Sequence, residues 1–182
     1  MGDSANSDIQ GSIQDRLRPT LVGVLSDTHG RLPGAVLAAL ADCDYIIHAG
    51  DIGDPSVLRA LAALAPVYAV LGNNDFDEYG TEVRRVIRPV IGRVRFLVAH
   101  YPQDVRIGFG GGPGLAPGDP VPQVCVHGHT HVPKITKGKD ARPAQYIICP
   151  GAIFRPRQGS KQSIAKLTIS NAHVRNVWIE AI

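Results

Sequence analysis

Seven side chains of the kinds that bind divalent metal ions are spread along this chain. They are Asp27, His29, Asp51, Asn73, His100, His129 and His131. Carboxylate, carboxamide and imidazole groups suit Mn²⁺, Fe²⁺, Co²⁺, Ni²⁺ and Zn²⁺. The chain has three cysteines, and none stands at a metal-ligand spacing, which disfavours a thiolate zinc site. The residue types therefore predict a metal site made of nitrogen and oxygen donors.

The order of these residues along the chain indicates where they lie in the fold. Four of the five segments that hold them follow an apolar, β-branched run, so each should stand at the C-terminal end of a strand. In open α/β sheets, ligands bind at that edge. The five segments are residues 27–30, 50–54, 72–75, 100 and 128–131.

The ordered set of segments resembles the calcineurin-like metallophosphoesterase superfamily, and most closely its small prokaryotic phosphodiesterase branch. The resemblance runs from about Leu21 to the last strand, and it is specific because five segments occur in one order. Any single segment would be weak, since a strand-ending histidine or aspartate is more often a cap or a turn residue. The resemblance implies an α/β fold, a four-layer α/β/β/α sandwich of two mixed β-sheets flanked by helices.

The resemblance also implies how the seven residues share two divalent ions. The first ion takes Asp27, His29, Asp51 and His131. The second takes Asp51, Asn73, His100 and His129, so that Asp51 bridges. Ions held roughly 3.5–4 Å apart share a hydroxide nucleophile and offset the charge that develops on phosphorus. Mn²⁺ is the expected metal, with Fe²⁺, Ni²⁺, Co²⁺ and Zn²⁺ as alternatives.

The expected catalytic residues are Asp51, Asn73, Asn74 and His100, and Asn74 is a departure from many larger superfamily members. Those members carry a histidine there, to which protonation of the leaving group is assigned. Asn74 cannot act as a general acid, so good leaving groups are favoured over alkyl monoesters. His127 is either a substitute acid or simply a strand residue. Asp75 is expected to orient Asn73 or another ligand.

These residues favour an enzyme that hydrolyses small organic phosphodiesters or nucleotides. The alternative is a non-catalytic or weakly catalytic protein-interaction scaffold of the same fold, as in the vacuolar-sorting subunit of the retromer coat. A DNA exonuclease would need extra binding regions that 182 residues do not provide. The expected partner is therefore a small phosphodiester, with no membrane and no stable nucleic-acid complex, and a homo-oligomer stays an open alternative.

Hydrophobic periodicity predicts the elements that position the site. The first half reads as a βαβαβ unit, with strands at 21–25, 45–48 and 67–71 and helices that begin at Pro33 and after Asp54. A hairpin of 83–90 and 94–99 follows, linked by a turn at Ile91 and Gly92. The remaining predicted strands are 124–126, 134–136, 145–148, 164–169 and 174–179.

The composition is that of one ordinary domain. The chain has a net charge of +3 and 44% hydrophobic residues, with no apolar run long enough for a bilayer. We expect residues 1–19 to be a disordered tail and residues 20–182 to form a single metallophosphoesterase domain. The tail has no signal-peptide core, so a cytoplasmic location is expected. The glycine- and proline-rich stretch 103–122, where relatives often place a helix, is predicted to be a loop.

Overall fold

The structure, a computed structural model, describes residues 18–76, 79–107, 115–116 and 118–182. Residues 1–17 of the expected tail lie outside this part of the chain, as does the glycine run of residues 108–114. Within the described residues, the two α-helices are too short to cross a membrane.

The first sheet has five strands in the order β11-β10-β1-β2-β3. Its strands are β1 (Thr20–Leu25), β2 (Tyr45–His48), β3 (Val67–Ala69), β10 (Ser163–Ser170) and β11 (His173–Ala181). β1, β2 and β3 run parallel. β10 pairs antiparallel with β1, and β11 pairs antiparallel with β10, so β11 runs in the same direction as β1. The predicted βαβαβ unit is therefore present, with β10 inserted beside β1 from the far end of the sequence.

Two α-helices connect the parallel strands. They are α1 (Gly34–Leu40) and α2 (Pro55–Ala62). α2 begins after Asp54, as predicted, and Asp54 caps it, because its carboxylate accepts the backbone N–H of Ser56 at 2.7 Å. The prediction for α1 was wrong by one residue: Pro33 is the extended N-cap, and the helix begins at Gly34. Proline suits either place, since it has no N–H to leave unpaired.

The second sheet has the order β4-β6-β7-β9-β8, with β5 also paired to β6. Its strands are β4 (Val86–Ile87), β5 (Val90–Ile91), β6 (Val94–Ala99), β7 (Val124–Val126), β8 (Lys134–Lys137) and β9 (Tyr146–Cys149). β6, β7 and β9 are parallel, so this sheet is also mixed.

The predicted hairpin needs two corrections. Its first strand is not continuous over residues 83–90, because Arg88 and Pro89 separate β4 from β5 and Pro89 has no N–H for the ladder. The turn lies at Gly92 and Arg93, not at Ile91 and Gly92, and Ile91 pairs with Val94. Both turn residues have positive φ, at 54° and 63°, as the favoured two-residue hairpin turn requires.

Three apolar layers hold these elements together. The inner faces of the two sheets share a buried core that includes Val24 of β1, Phe96 of β6 and Val126 of β7. A second core lies between the first sheet and the helices, with Leu40 and Leu61 fully buried. A third lies on the outer face of the second sheet. The two mixed sheets with outer helices confirm the predicted α/β fold class.

The outer face of the second sheet shows where this chain differs from a regular sandwich. Among the described residues, a 3₁₀ turn (Pro102–Val105) and irregular segments cover it, and no α-helix does. The prediction of an irregular stretch is thus confirmed for its described part, except for this turn. Glycine and proline disfavour a helix, so the buried Val105 supplies apolar cover there instead.

Candidate metal centre

The loops that follow the parallel strands have an unusual backbone. Five of the seven predicted ligands have positive φ, in a region that non-glycine residues adopt rarely: Asp27 (55°), His29 (46°), Asp51 (54°), His129 (66°) and His131 (60°). Such residues are costly in free energy and concentrate at functional sites. The surrounding hydrogen bonds must therefore impose this conformation.

Main-chain hydrogen bonds tie these loops to one another. The N–H of Asp27 donates to the carbonyl of Gly50 at 3.0 Å, and the N–H of His29 donates to the carbonyl of Asp51 at 2.9 Å. The second sheet joins them through His129, whose N–H donates to Asp27 Oδ2 at 3.2 Å. The ends of both sheets thus form one cleft.

Two glycines permit this close approach. A Cβ on Gly72 would lie 2.1 Å from Oδ1 of Asp51, and one on Gly128 would lie 1.9 Å from Oγ of Ser26. Both distances are far below van der Waals contact. Any side chain at Gly72 would therefore displace the Asp51 carboxylate.

The first group of converging atoms comes from β1, β2 and the loop after β7. Nε2 of His131 lies 3.1 Å from Oδ1 of Asp27, and Nε2 of His29 lies 3.5 Å from Oδ2 of Asp51. Ligand atoms of Asp27, His29 and His131 all lie within 4.8 Å of one another. These are the residues expected around the first ion.

The second group adjoins the first through Asp51. Oδ1 of Asn73 lies 3.1 Å from Nε2 of His100 and 3.0 Å from Nδ1 of His129. Oδ1 of Asp51 lies 3.6 Å from the same His100 nitrogen. Asp51 therefore faces both groups, and the structure brings all seven predicted residues into one cleft.

Two histidines have the tautomer that a metal ion requires, as judged from their partners. Nδ1 of His100 donates to the carbonyl of Ala49 at 2.8 Å, and Nδ1 of His131 donates to the carbonyl of Arg155 at 2.8 Å. In the neutral ring this leaves the Nε2 lone pair directed at the cleft.

One buried atom among the described residues tests independently whether the cleft fits a divalent metal ion. Oδ1 of Asp27 is buried and accepts no hydrogen bond, although Nε2 of His131 is only 3.1 Å away. Two lone pairs at this distance repel unless a cation or a proton lies between them. The nearby Asp27 carboxylate raises the pKa of His131, so a proton competes for the position that a divalent ion fits.

The electrostatics of the other groups favour the states that bind metal. Burial raises the pKa of Asp27, but the neighbouring His131 ring and the hydrogen bond from Ser26 outweigh burial and lower it. Burial and the charge of His100 lower the pKa of His129. The cleft therefore favours an ionised Asp27 and a neutral His129, which are the forms that bind metal.

The seven residues of the cleft differ in their exposure to solvent. Asp27, Asp51, His100 and His131 are buried, whereas Asn73 is exposed. His29 and His129 are half-buried. Asn73 therefore marks the solvent-exposed side of the group.

Asp75 was expected to orient Asn73 or another ligand, and the structure favours the second alternative. Its carboxylate accepts hydrogen bonds from the backbone N–H groups of Ile52, Gly53 and Gly72 at 2.8–3.0 Å and from the Tyr79 hydroxyl. Burial raises its pKa, but these bonds outweigh burial and lower it. The structure shows no bond to Asn73, so Asp75 orients the loop of Asp51 and not the Asn73 side chain.

His48 is a second buried support. Its Nδ1 accepts the N–H of Gly50 at 3.2 Å, and its Nε2 lies 2.9 Å from the Thr28 hydroxyl. The hydroxyl donates onward to the carbonyl of Ile52 at 2.9 Å. Burial lowers the pKa of His48 to about 4, so the ring is neutral and fixes the loop before Asp51.

The remaining two predicted residues have different positions. The Asn74 carboxamide donates to Oδ2 of Asp51 at 2.7 Å, and its backbone N–H donates to Oδ1 at 2.9 Å. Asn74 thus positions Asp51. His127 is not grouped with the seven, because its ring lines a separate cavity with Arg106 and Lys134. His127 directly follows β7 and does not lie within it, so the choice between an acid and a structural residue stays a prediction.

Comparison with known proteins gives the same family. The calcineurin-like phosphoesterase superfamily domain matches residues 21–172. A probable metallophosphoesterase of the archaeon Methanothermobacter thermautotrophicus is 36% identical over 149 residues, which cover 75% of this chain and 79% of that protein.

Two solved structures share the fold. The E. coli phosphoesterase YfcE is 20% identical with a TM-score of 0.61, over 87% of this chain and 98% of that one. Vacuolar protein sorting 29 from Cryptosporidium parvum is 16% identical with a TM-score of 0.62. The match covers 89% of this chain and 97% of that one.

The sequence match and the cleft agree on the chemistry. Aspartate and histidine groups of this kind fit divalent metal ions, and the matched relative bears the name of a metal-dependent phosphoesterase. Since the superfamily domain covers most of the chain, the resemblance inferred from the ordered segments is confirmed. This chain belongs to the calcineurin-like phosphoesterase superfamily, and its family supports a metal-dependent phosphoester hydrolase.

Proposed function

We propose that this protein is a dinuclear phosphodiesterase that hydrolyses small organic phosphodiesters or nucleotides. The observation that carries the proposal is the convergence of seven nitrogen and oxygen donors in one cleft, where the buried Oδ1 of Asp27 accepts no hydrogen bond. The proposal treats residues 20–182 as one catalytic domain. Mn²⁺ is the proposed metal, because the donors are hard or borderline and no thiolate adjoins them.

The proposed ligand sets follow the two groups of atoms. Asp27, His29, Asp51 and His131 would hold one ion. Asp51, Asn73, His100 and His129 would hold the other. When bound, such ions supply the Lewis acidity that activates water at neutral pH and offsets charge on the phosphoryl group. The protein contributes the fixed orientation of these ligands through Asp75, His48 and Asn74.

The absence of an acid at position 74 supports the choice of a diester. The carboxamide of Asn74 is bound to Asp51 and has no proton to give to a leaving group. Substrates whose leaving groups depart as stable anions need no such donor. Activated diesters should therefore react faster than alkyl monoesters.

A panel of esters tests the proposal. Bis(p-nitrophenyl) phosphate, p-nitrophenyl phosphate and an alkyl phosphate are assayed with each divalent ion, and the highest kcat/KM is expected for the diester with Mn²⁺. Turnover of this small substrate should change little with salt, in contrast to the binding of a polyanion. Failure of every ion to support diester hydrolysis would favour the interaction scaffold.

A further inference from the structure

A stack of three side chains lies at the rim of the cleft. The guanidinium carbon of Arg31 lies 4.4 Å from the centre of the Phe154 ring, and that of Arg155 lies 4.9 Å from it. Both arginines are exposed, and Phe154 is half-buried. We call these three residues the arginine stack.

The arginine stack is fixed to the proposed ligands on two sides. The N–H of Phe154 donates to the carbonyl of Asp27 at 2.9 Å, and its ring meets the ring of His29 edge-on at 5.7 Å. The carbonyl of Arg155 accepts a hydrogen bond from Nδ1 of His131. The stack therefore holds its position relative to the metal cleft.

The charge of the arginine stack is not balanced by acidic side chains. In the part of the chain that the structure describes, neither Arg31 nor Arg155 has a carboxylate within 4.0 Å. Arg157, two residues further, is also exposed, and its backbone N–H donates to the carbonyl of His131 at 3.2 Å. This rim thus carries three guanidinium groups next to the proposed site of hydrolysis.

The arrangement suits an anionic ligand. Packing on an aromatic face restricts the guanidinium groups before any ligand binds, which reduces the entropy lost on binding. The planar donors of arginine match the oxygens of phosphate in a bidentate geometry. An anion beside either group would also offset its positive charge. The contact with the Phe154 ring alone does not require both charges to lie beside the proposed ligands.

We propose that the arginine stack binds a second anionic group of the substrate, so that the preferred substrates are phosphodiesters carrying a further phosphate near the scissile bond. This proposal rests on the proposed phosphodiesterase function, because the stack adjoins His29 and His131 of that site. It narrows the substrate class from diesters in general to phosphorylated diesters.

A matched pair of substrates tests the proposal. Thymidine 5′-(p-nitrophenyl phosphate) and the same compound with a 3′-phosphate differ only in the additional anion. Wild-type protein with Mn²⁺ should hydrolyse the phosphorylated compound with a kcat/KM about 10-fold higher, as expected for a charge-assisted contact. Arg31→Gln and Arg155→Gln should each lower this ratio, and the double variant should bring it close to one.

Two further variants test whether the effect depends on the position and on the planar donors of the arginines. Arg175→Gln removes the same charge from an exposed position in β11 and should keep the wild-type ratio. Arg155→Lys keeps the charge but loses the planar donor pair, so an intermediate ratio is expected. An equal ratio in wild type and in the double glutamine variant overturns the arginine stack as a specificity site, while diester hydrolysis itself would stand.

Equilibrium binding separates this proposal from the proposed function. If neither compound is hydrolysed, the proposed phosphodiesterase function fails. Calorimetric titration with thymidine 3′,5′-bisphosphate and thymidine 5′-phosphate then shows whether the arginine stack binds a second phosphate. Tighter binding of the bisphosphate that is lost in the double glutamine variant supports the arginine stack. Equal affinities for the two nucleotides in the wild type overturn it.

Discussion

The carboxylate of Asp51 is the one predicted ligand that faces both groups of donors. It lies 3.5 Å from Nε2 of His29 and 3.6 Å from Nε2 of His100, and both of its oxygens accept hydrogen bonds from Asn74. Its residue type and its place in the segment order were visible in the sequence. Its fixation by Asn74 was not, because a carboxamide beside a carboxylate has many conformations in an isolated segment.

Asp51→Asn should be the most damaging single change to the site. The amide is a weaker ligand in both proposed coordination spheres and places an N–H₂ group against Asn74. We expect a loss of about 100-fold or more in metal affinity and hydrolysis, since even outer supports cost 10–100-fold. Asp54→Asn, the same chemical change at an exposed helix cap, is the control and should have little effect. Retention of both ions and near-normal turnover would show that Asp51 does not bridge.

Asn74→His tests whether a proton donor is missing. An imidazole there should raise kcat/KM for an alkyl phosphate relative to a nitrophenyl diester, within the roughly 10²–10⁴-fold range of general acid catalysis. Loss of the hydrogen bond to Asp51 will reduce the gain. Asn74→Gln, which adds no acid, is the matched control. An unchanged or lower ratio with metal still bound would mean that position 74 does not limit leaving-group protonation.

The loops after the strands are the elements that the sequence predicts least well. Gly50 and Gly72 suggest tight turns, but the left-handed backbone of Asp27, Asp51 and His129 does not follow from their residue types. Hydrogen bonds between loops impose that conformation, and those bonds exist only once both sheets have formed. Asp75 illustrates this, since it binds residues more than twenty positions earlier in the chain.

Asp75→Asn should destabilise the loop of Asp51. The amide retains one acceptor oxygen but directs a donor toward backbone N–H groups, so the free energy of unfolding should fall by about 2–4 kcal/mol. Urea denaturation measures this, with Asp54→Asn as the control. Metal affinity should fall as well, because the loop of Asp51 is no longer fixed. A variant with unchanged stability would show that the three N–H groups find other partners.

The neutral state of buried His48 should make the stability of the metal-free protein depend on pH. Its folded-state pKa of about 4 lies below the usual value near 6.5, so the unfolded chain takes up its proton first as the pH falls. The stability contributed by neutral His48 is full above about pH 6.5 and is lost as the pH falls toward 4, by about 3 kcal/mol in all.

Urea denaturation between about pH 7 and about pH 4.5 measures this effect. His48→Asn, which keeps an acceptor for Gly50, should show a shallower decline in stability than the wild type. His173→Asn, at an exposed histidine of β11, is the control and should follow the wild type. Identical pH profiles for His48→Asn and the wild type would contradict the assignment of a neutral, buried ring.

At the scale of the whole molecule, the sequence predicts the positions of the strands better than it predicts which strands pair. β1 and β2 are continuous apolar runs that end at the first ligand segments, and Asp54 with Pro55 marks the start of α2 unambiguously. Pro89 interrupts the strand predicted over residues 83–90, because backbone hydrogen bonding decides where a strand ends and hydrophobicity does not. The insertion of β10 beside β1 depends on contacts between residues about 145 positions apart, as in the pairing of Val22 with Leu167.

In the proposed function, the two sheets bring these donors together to hold two metal ions for phosphodiester hydrolysis. Protein stripped with a chelator and titrated with Mn²⁺ tests it most directly, with bound metal counted and hydrolysis of bis(p-nitrophenyl) phosphate followed in the same samples. We predict no turnover without metal, and full recovery only when two ions are bound per chain. Full activity after verified removal of all metal would contradict the account.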